Sequence, residues 1–275
     1  MSASPSVSSE PGPEGSSAAS RTGPVIVFAD LAVALSALED AERQTPRLAA
    51  DEVARYANIC AARGEGEARI WRAAHIVLRI VLERQASRVV RGVAYEIAPG
   101  GRPQLPANVN TAGLQFSLSH TGQAALIAVS NAGPIGIDLE MTRDVKVSIE
   151  RRQRILHAAG QLASSDQQAP SKTSSLIEAS DGGSENAGFL QAWVRLEALA
   201  KASGTGIGRI LTQAGVAGVR PAAGIAARMA VPGFVVGDLT LPPGYYGAVA
   251  AGQLPLTLAV EAFPLGECAI AGWLT

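Results

Sequence analysis

The stretch FSLSHTGQAALIAVSNAGPIGIDLE, residues 116–140, decides how this chain folds. Phe116 and Leu118 alternate with Ser117 and Ser119, the period of a two-faced strand. His120-Thr121-Gly122 reads as a turn. Ala124–Ser130 is a second strand. Asn131-Ala132-Gly133-Pro134 is a tight connection, and Ile135–Glu140 follows as the next strand. Two strands joined so briefly predict a hairpin. In the last strand Ile137 and Leu139 take the core side, so Asp138 and Glu140 project together from the other face.

Two carboxylates that close repel and raise each other's pKa. A hard divalent cation removes the penalty, and magnesium favours one or two carboxylates with water and substrate phosphates completing its shell. Taken alone, D-x-E also describes a solvated strand face.

Toward the N-terminus, the β-branched run Val25–Ala29 predicts the first strand, with Asp30 capping a helix over Leu31–Arg43. Asp51–Ala62 is a second helix and Arg69–Glu83 a third. The stripe of Ile70, Ala74, Val77, Leu78 and Val81 marks the third helix's core face. Arg69, Arg72 and Arg79 fall off it and read as solvated, with one of them available to a phosphate. His75 borders the apolar face and reads as packed core; His157 reads as a surface residue. Val93–Ile97 predicts a strand before the Pro-Gly-Gly-Arg-Pro turn at 99–103, which would hold Arg102 on a stiff loop.

Toward the C-terminus, Ser148–Ala163 suits a helix, and 164–188, rich in Ser, Gln, Asp, Gly and Asn, reads as a mobile loop. Gln191–Ala202 is a helix stopped at Gly204-Thr205-Gly206. Strand candidates follow at Ile225–Val231, Phe234–Leu239, Tyr245–Ala251 and Leu256–Phe263. Trp193, Glu197 and Lys201 repeat every four residues and share one helix face. The plain account is an exposed Glu–Lys pair. The functional account makes Glu197 a third acid near the metal and Lys201 a phosphate contact.

Composition narrows the class. The 275 residues are 47% hydrophobic, ample for a packed core, and the formal net charge is −1. That balance gives no global pull toward nucleic acid or anionic membrane. Two cysteines, Cys60 and Cys268, make neither a disulfide framework nor a zinc cluster; each reads as a small buried hydrophobe in a reducing cytoplasm. Residues 1–24 read as a disordered tail with no secretory pattern, and no apolar run reaches the ~20 residues that span a bilayer.

The ordered set G-R-P (101–103), F-S-L-S-H-T-G (116–122), I-G-I-D-L-E (135–140) and W-x-x-x-E-A-x-x-K (193–201) resembles the 4′-phosphopantetheinyl transferase superfamily, most closely its surfactin-synthetase-activating, two-lobe type. The similarity runs over about 93–140 and 189–208. It implies an α+β fold of two similar α/β lobes, a pseudo-dimer in one chain, each lobe an antiparallel sheet packed with helices, with the ligand cleft between them. The lobes would be 25–140 and 141–275, in a cytoplasmic monomer. The resemblance implies transfer of the phosphopantetheine arm of coenzyme A to a serine of an acyl or peptidyl carrier protein. Asp138, Glu140 and Glu197 would ligate magnesium, with manganese an alternative, and Glu197 would be the general base. Lys201 and His120 would contact phosphates, Arg102 and Pro103 would lie on the adenine and 3′-phosphate side, the backbone at Ser119 would seat the nucleotide, and Arg55 would add a phosphate contact. Nucleic acid and membrane would play no part. Two departures stand out. Leu196 replaces the lysine usual before the glutamate, and no Phe-x-x-x-Glu stretch occurs between Met141 and Gly188. A homologue that binds coenzyme A or a carrier protein without transfer is the alternative. An unrelated magnesium-dependent phosphohydrolase fits less well, since no nucleophile motif or Walker-type loop is present.

Overall fold

The fold is described from a computed structural model, which covers residues 23–86, 88–162, 182–213, 215–216 and 233–274. The tail reading for 1–22, the loop reading for 164–181 and the strand candidate at Ile225–Val231 lie outside the described residues.

The first half opens with β1 (Val25–Asp30), α1 (Leu31–Gln44), α2 (Ala50–Arg63) and α3 (Glu65–Ala86). Asp30 caps α1, its carboxylate accepting from the N–H groups of Ala32 and Val33. Two short strands, β2 (Glu96–Ile97) and β3 (Pro103–Gln104), flank the Pro-Gly-Gly-Arg turn. Then come β4 (Gln115–Thr121), β5 (Ala124–Ser130) and β6 (Ile135–Met141). His120 and Thr121 belong to β4, so the turn is shorter than the sequence suggests: only Gly122 and Gln123 separate the paired ends Thr121 and Ala124. The second half supplies α4 (Ile149–Gly160), α5 (Gly182–Ser203), α6 (Ile207–Gln213), β7 (Val235–Asp238), β8 (Tyr245–Ala251), β9 (Glu261–Ala262) and α7 (Glu267–Trp273). Helix α5 starts well before Gln191, so residues 182–188 are helical rather than loop.

The strands form a four-stranded sheet, ordered β4-β5-β1-β9, and a three-stranded sheet, ordered β6-β8-β7; β2 and β3 pair separately. All of these pairings are antiparallel except β1 with β9. The hairpin expected between β5 and β6 does not form. Strand β5 already has β4 and β1 on its two edges, and β6 pairs with β8, Ile137 opposite Val249. The Asn131–Pro134 connection therefore carries the chain from one sheet to the other. The Leu256–Phe263 candidate shrinks to β9, which adds to β1. The chain passes from the sheet of β1, β4 and β5 to that of β6, β7 and β8 at Asn131–Pro134, ahead of residue 140, while β9 and α7 lie with the first group.

Strand alternation explains the layering. Val27, Ala29, Ala125, Ile127 and Val129 face α1 and α3, in a core that also takes Ile270 of α7. Their neighbours Ile26, Ala124, Leu126 and Ala128 face Ile135, Ile137, Leu139, Val249 and Ala251 of the other sheet. The far face of that sheet, with Ala248 and Ala250, packs on α4 and α5. The result is helices, sheet, sheet, helices, and β5 is buried at all seven positions. Each fully buried Leu or Ile stabilises such layers by roughly 1.5–3 kcal/mol. The coarse expectation of a mixed fold of antiparallel sheets and helices is met. Among the described residues no helix is long and apolar enough to cross a membrane.

Some side chains depart from expectation. Arg79 is not solvated: it is 1% exposed and pairs with Glu52 at 2.6 Å. Arg69 pairs with Glu39, and Arg72 lies over the ring of Tyr56. Cys60 is half-buried and Cys268 exposed, so neither is the buried hydrophobe expected.

Two contacts set where the halves meet. The edge strands β4 and β6 are bridged by serines: Ser117 Oγ accepts from the Ile137 N–H at 3.1 Å, and Ser119 Oγ donates to Asp138 Oδ1 at 2.8 Å. At Gly136 the backbone of α5 lies directly on β6; a Cβ there would stand 2.1 Å from the Ala198 carbonyl and 2.3 Å from the Ala202 nitrogen. No side-chain rotation relieves a clash with helix backbone. Gly136→Ala is therefore expected to destabilise the fold by about 2 kcal/mol or more, read from urea unfolding; a loss within error would show that α5 moves away freely.

Candidate active site

A cleft of about 520 Å³ opens between the two halves. The first half contributes α2 through Glu52 and Arg55, α3 through Trp71 and His75, the β2–β3 turn through Arg102 and Pro103, and β4 through Ser117 and Leu118. The second half contributes Glu197 and Lys201 of α5 and the turn at Gly204–Ile207. The β2–β3 turn reaches that second turn only because it carries glycine: a Cβ on Gly100 would stand 2.3 Å from the Gly204 carbonyl oxygen, and its φ is +100°. Arg102 closes the same junction, donating to the Ala202 carbonyl at 3.0 Å and to Gln115 Oε1 at 3.1 Å.

The sequence-derived residues gather in two linked groups. Arg55, Arg102, Pro103, Glu197 and Lys201 line the cleft. Asp138 and Ser119 are not among the cleft-lining residues and are linked to it through Lys201, whose Nζ donates to Asp138 Oδ1 at 2.7 Å and to the Ile137 carbonyl at 3.0 Å, while Ser119 Oγ donates to the same Oδ1. Ile137 and Leu139 point into the core as alternation required. Asp138 is 6% exposed, while Glu140 is half-buried and pairs with Arg143 at 3.1 Å. His120 keeps an exposed edge, yet crowding disfavours its charged form, and the positive charges of His75 and Lys201 push its pKa lower still.

Glu197 has the opposite shift. Burial is the first cause raising its pKa, Asp138 the next, and Glu140 adds to it; Lys201 opposes them. The three acids thus feel one another. The three are hard-oxygen donors of the kind a divalent cation takes, but here they are not gathered around one point: Glu140 pairs with Arg143, and the Lys201 ammonium supplies the counter-charge on Asp138. Among the described residues no group of three or more His, Cys, Asp or Glu side chains is close enough to hold a metal ion.

Several cleft residues escaped the sequence reading. His75 is not packed core: its side chain is 20% exposed, lines the cleft, and holds Glu52 through Nδ1 at 3.0 Å. Its ring lies 4.0 Å from that of Trp71, whose other neighbour is the Arg55 guanidinium at 6.0 Å. Burial alone would raise the Glu52 pKa, but His75 and Arg79 outweigh it and hold it low. Tyr95 presses its ring on Arg79 at 3.9 Å, and its buried hydroxyl has no partner among the described residues. One signal was available: Glu52 sits in the first turn of α2, where its carboxylate accepts from the Ala49 N–H. The departure at Leu196 also has a reason, since that side chain is fully buried between α5 and its neighbours.

A raised Glu197 pKa has a consequence for stability. The folded state holds the proton more tightly than the unfolded chain, so ionised Glu197 costs stability above its folded pKa. That cost disappears as the pH falls toward the unfolded value. Glu197→Gln should therefore raise the melting temperature at neutral pH, with the gain vanishing in acid; an equal gain at both would contradict the shift.

No protein-family model matches the chain. Over 138 residues it is 28% identical to a protein of Synechocystis sp. (strain ATCC 27184 / PCC 6803 / Kazusa) whose name carries 4′-phosphopantetheinyl transferase as a provisional assignment. The match covers 50% of this chain and 50% of that protein, so the chain spans about half the length of the relative it matches. That similarity supports the 4′-phosphopantetheinyl transferase superfamily and does not separate its types.

Proposed function

We propose that the chain transfers the 4′-phosphopantetheine arm of coenzyme A to a serine of an acyl or peptidyl carrier protein, with the cleft between two lobes holding coenzyme A. The observation that carries this reading is the convergence of Arg55, Arg102 and Lys201 with Glu197 around one cleft, with Lys201 bonded to Asp138. Three cations suit a ligand with several phosphates, and a half-buried carboxylate beside them suits a proton acceptor. Asp138, Glu140 and Glu197 would hold magnesium or manganese, which would neutralise charge on the pyrophosphate.

The chemistry asked of the residues is small. The carrier serine oxygen bonds to the phosphorus that bears pantetheine. The bond from that phosphorus to the bridging pyrophosphate oxygen breaks, and adenosine 3′,5′-bisphosphate leaves with the electron pair. Glu197 takes the serine proton, directly or through one water. Its raised pKa makes it a better acceptor than an ordinary carboxylate. Arg102, tied to both halves, would fix the nucleotide end, and His120 would meet a phosphate at the end of β4. The soluble cytoplasmic monomer implied by the family resemblance belongs to the same proposal.

Incubation with coenzyme A, a divalent cation and an apo-carrier protein should add one phosphopantetheine mass to the carrier. Glu197→Gln should lower the rate by about 10²-fold or more. Wild-type rates in that variant would remove Glu197 as the base, and coenzyme A binding without transfer to fatty-acid or peptide carriers would favour the binding-only homologue.

A further inference from the structure

The wall of the cleft made by α2 and α3 carries a donor that the transfer chemistry leaves unused. His75 lines the cleft from α3 with its side chain 20% exposed, and its Nδ1 meets Glu52 Oε1 at 3.0 Å. Glu52 cannot turn away. Its Oε2 accepts from the Arg79 guanidinium at 2.6 and 2.9 Å and from the Ala49 N–H at 2.9 Å. His75 and Arg79 hold Glu52 in its ionised form, so Nδ1 is the ring nitrogen that carries the proton. The Trp71 ring, 8% exposed, packs against the imidazole at 4.0 Å. The ring of His75 is thus fixed in angle and in tautomer. Its Nε2 has no hydrogen-bond partner among the described residues, and it is not shut off from solvent. Beside it, Arg55 lies over Trp71 at 6.0 Å, lines the same cleft, and makes no ion pair among the described residues.

Resting on the reading of the cleft as the coenzyme A site, we infer that His75, aimed by Glu52, binds the ribose 3′-phosphate of coenzyme A together with Arg55. Glu197 and Lys201 line the cleft from α5, in the other half. The reacting phosphorus must come within reach of Glu197, so the pyrophosphate belongs to that side. Coenzyme A has one phosphate more, a monoester on the ribose, close to doubly charged at neutral pH. An imidazole with a carboxylate on Nδ1 and a phosphate on Nε2 has an acceptor at each nitrogen, which suits the doubly protonated ring. The bond from Nε2 to the phosphate is then charge-assisted, and the Arg55 guanidinium adds a second one. Glu52 repels the ligand little, because Arg79 matches its charge. Asp51, the other acid on this wall, is exposed to solvent, where its charge is screened. Glu52 acts only through His75 and is a positioning residue.

The test is calorimetric titration of the full chain, without carrier protein, using coenzyme A and dephospho-coenzyme A, which differ only by the ribose phosphate. The wild type should bind coenzyme A the more tightly, by about tenfold or above. His75→Phe keeps a ring against Trp71 and removes both nitrogens. It should weaken coenzyme A by about tenfold and dephospho-coenzyme A by less than about twofold, the selective loss that separates a phosphate contact from a packing role. A folded His75→Phe protein that holds coenzyme A as well as the wild type does, or that loses both ligands equally, would overturn the inference. Should that variant fail to fold, His75→Gln, which keeps an amide donor and drops the ring charge, should show the same selective loss, and an equal loss of both ligands would again overturn it. A wild type that binds the two ligands equally would sink the inference alone. A wild type that binds neither would sink the transferase reading with it.

Discussion

Everything at the cleft depends on how closely α5 lies on β6. At Gly136 the helix backbone approaches the strand to a distance that leaves no room for a methyl group. This brings Lys201 within hydrogen-bond length of Asp138 and sets Glu197 one turn earlier on the same face of α5. The same helix is anchored at its far side, where Arg195 and Gln191 hold Asp238 of β7. One face of α5 is therefore held in place, and Glu197 and Lys201, four residues apart, line the cleft rather than forming an exposed surface pair.

The meeting of two sheet edges is the second constraint. An edge strand presents unpaired N–H and C=O groups, which must find partners when buried. Here the gap between β4 and β6 is closed by side chains, Ser117 serving the Ile137 N–H and Ser119 serving Asp138. A continuous ladder would have left no place for a carboxylate. The serine bridge lets Asp138 remain at 6% exposure with two donors on it, Ser119 and Lys201. Burial then penalises the next acid, Glu197, whose pKa rises.

Much of this was legible in the sequence, for definite reasons. Alternation in 116–119 and 135–140 placed Ile137, Leu139 and Asp138 correctly because each strand is covered by the core on one face. Asp30 announced its helix by capping chemistry. The order of the four motifs brought Arg102, Glu197 and Lys201 together, which no single spacing does. What was missed is non-local. The partner of β6 lies over a hundred residues away in β8, and a four-residue connection says nothing about whether the chain turns back or changes sheet. The return of β9 to β1 is two residue pairs long and leaves no pattern. Arg79 and His75 looked peripheral to their helix stripe, yet α2 brings Glu52 against both, and only tertiary packing decides that.

A crystal structure of the protein grown with coenzyme A and a divalent cation tests this account most directly. The expected result is coenzyme A in the cleft with its phosphates among Arg55, Arg102 and Lys201, and the cation on Asp138, Glu140 and Glu197. Coenzyme A bound outside the cleft, or a cation bound away from those three acids, would contradict it.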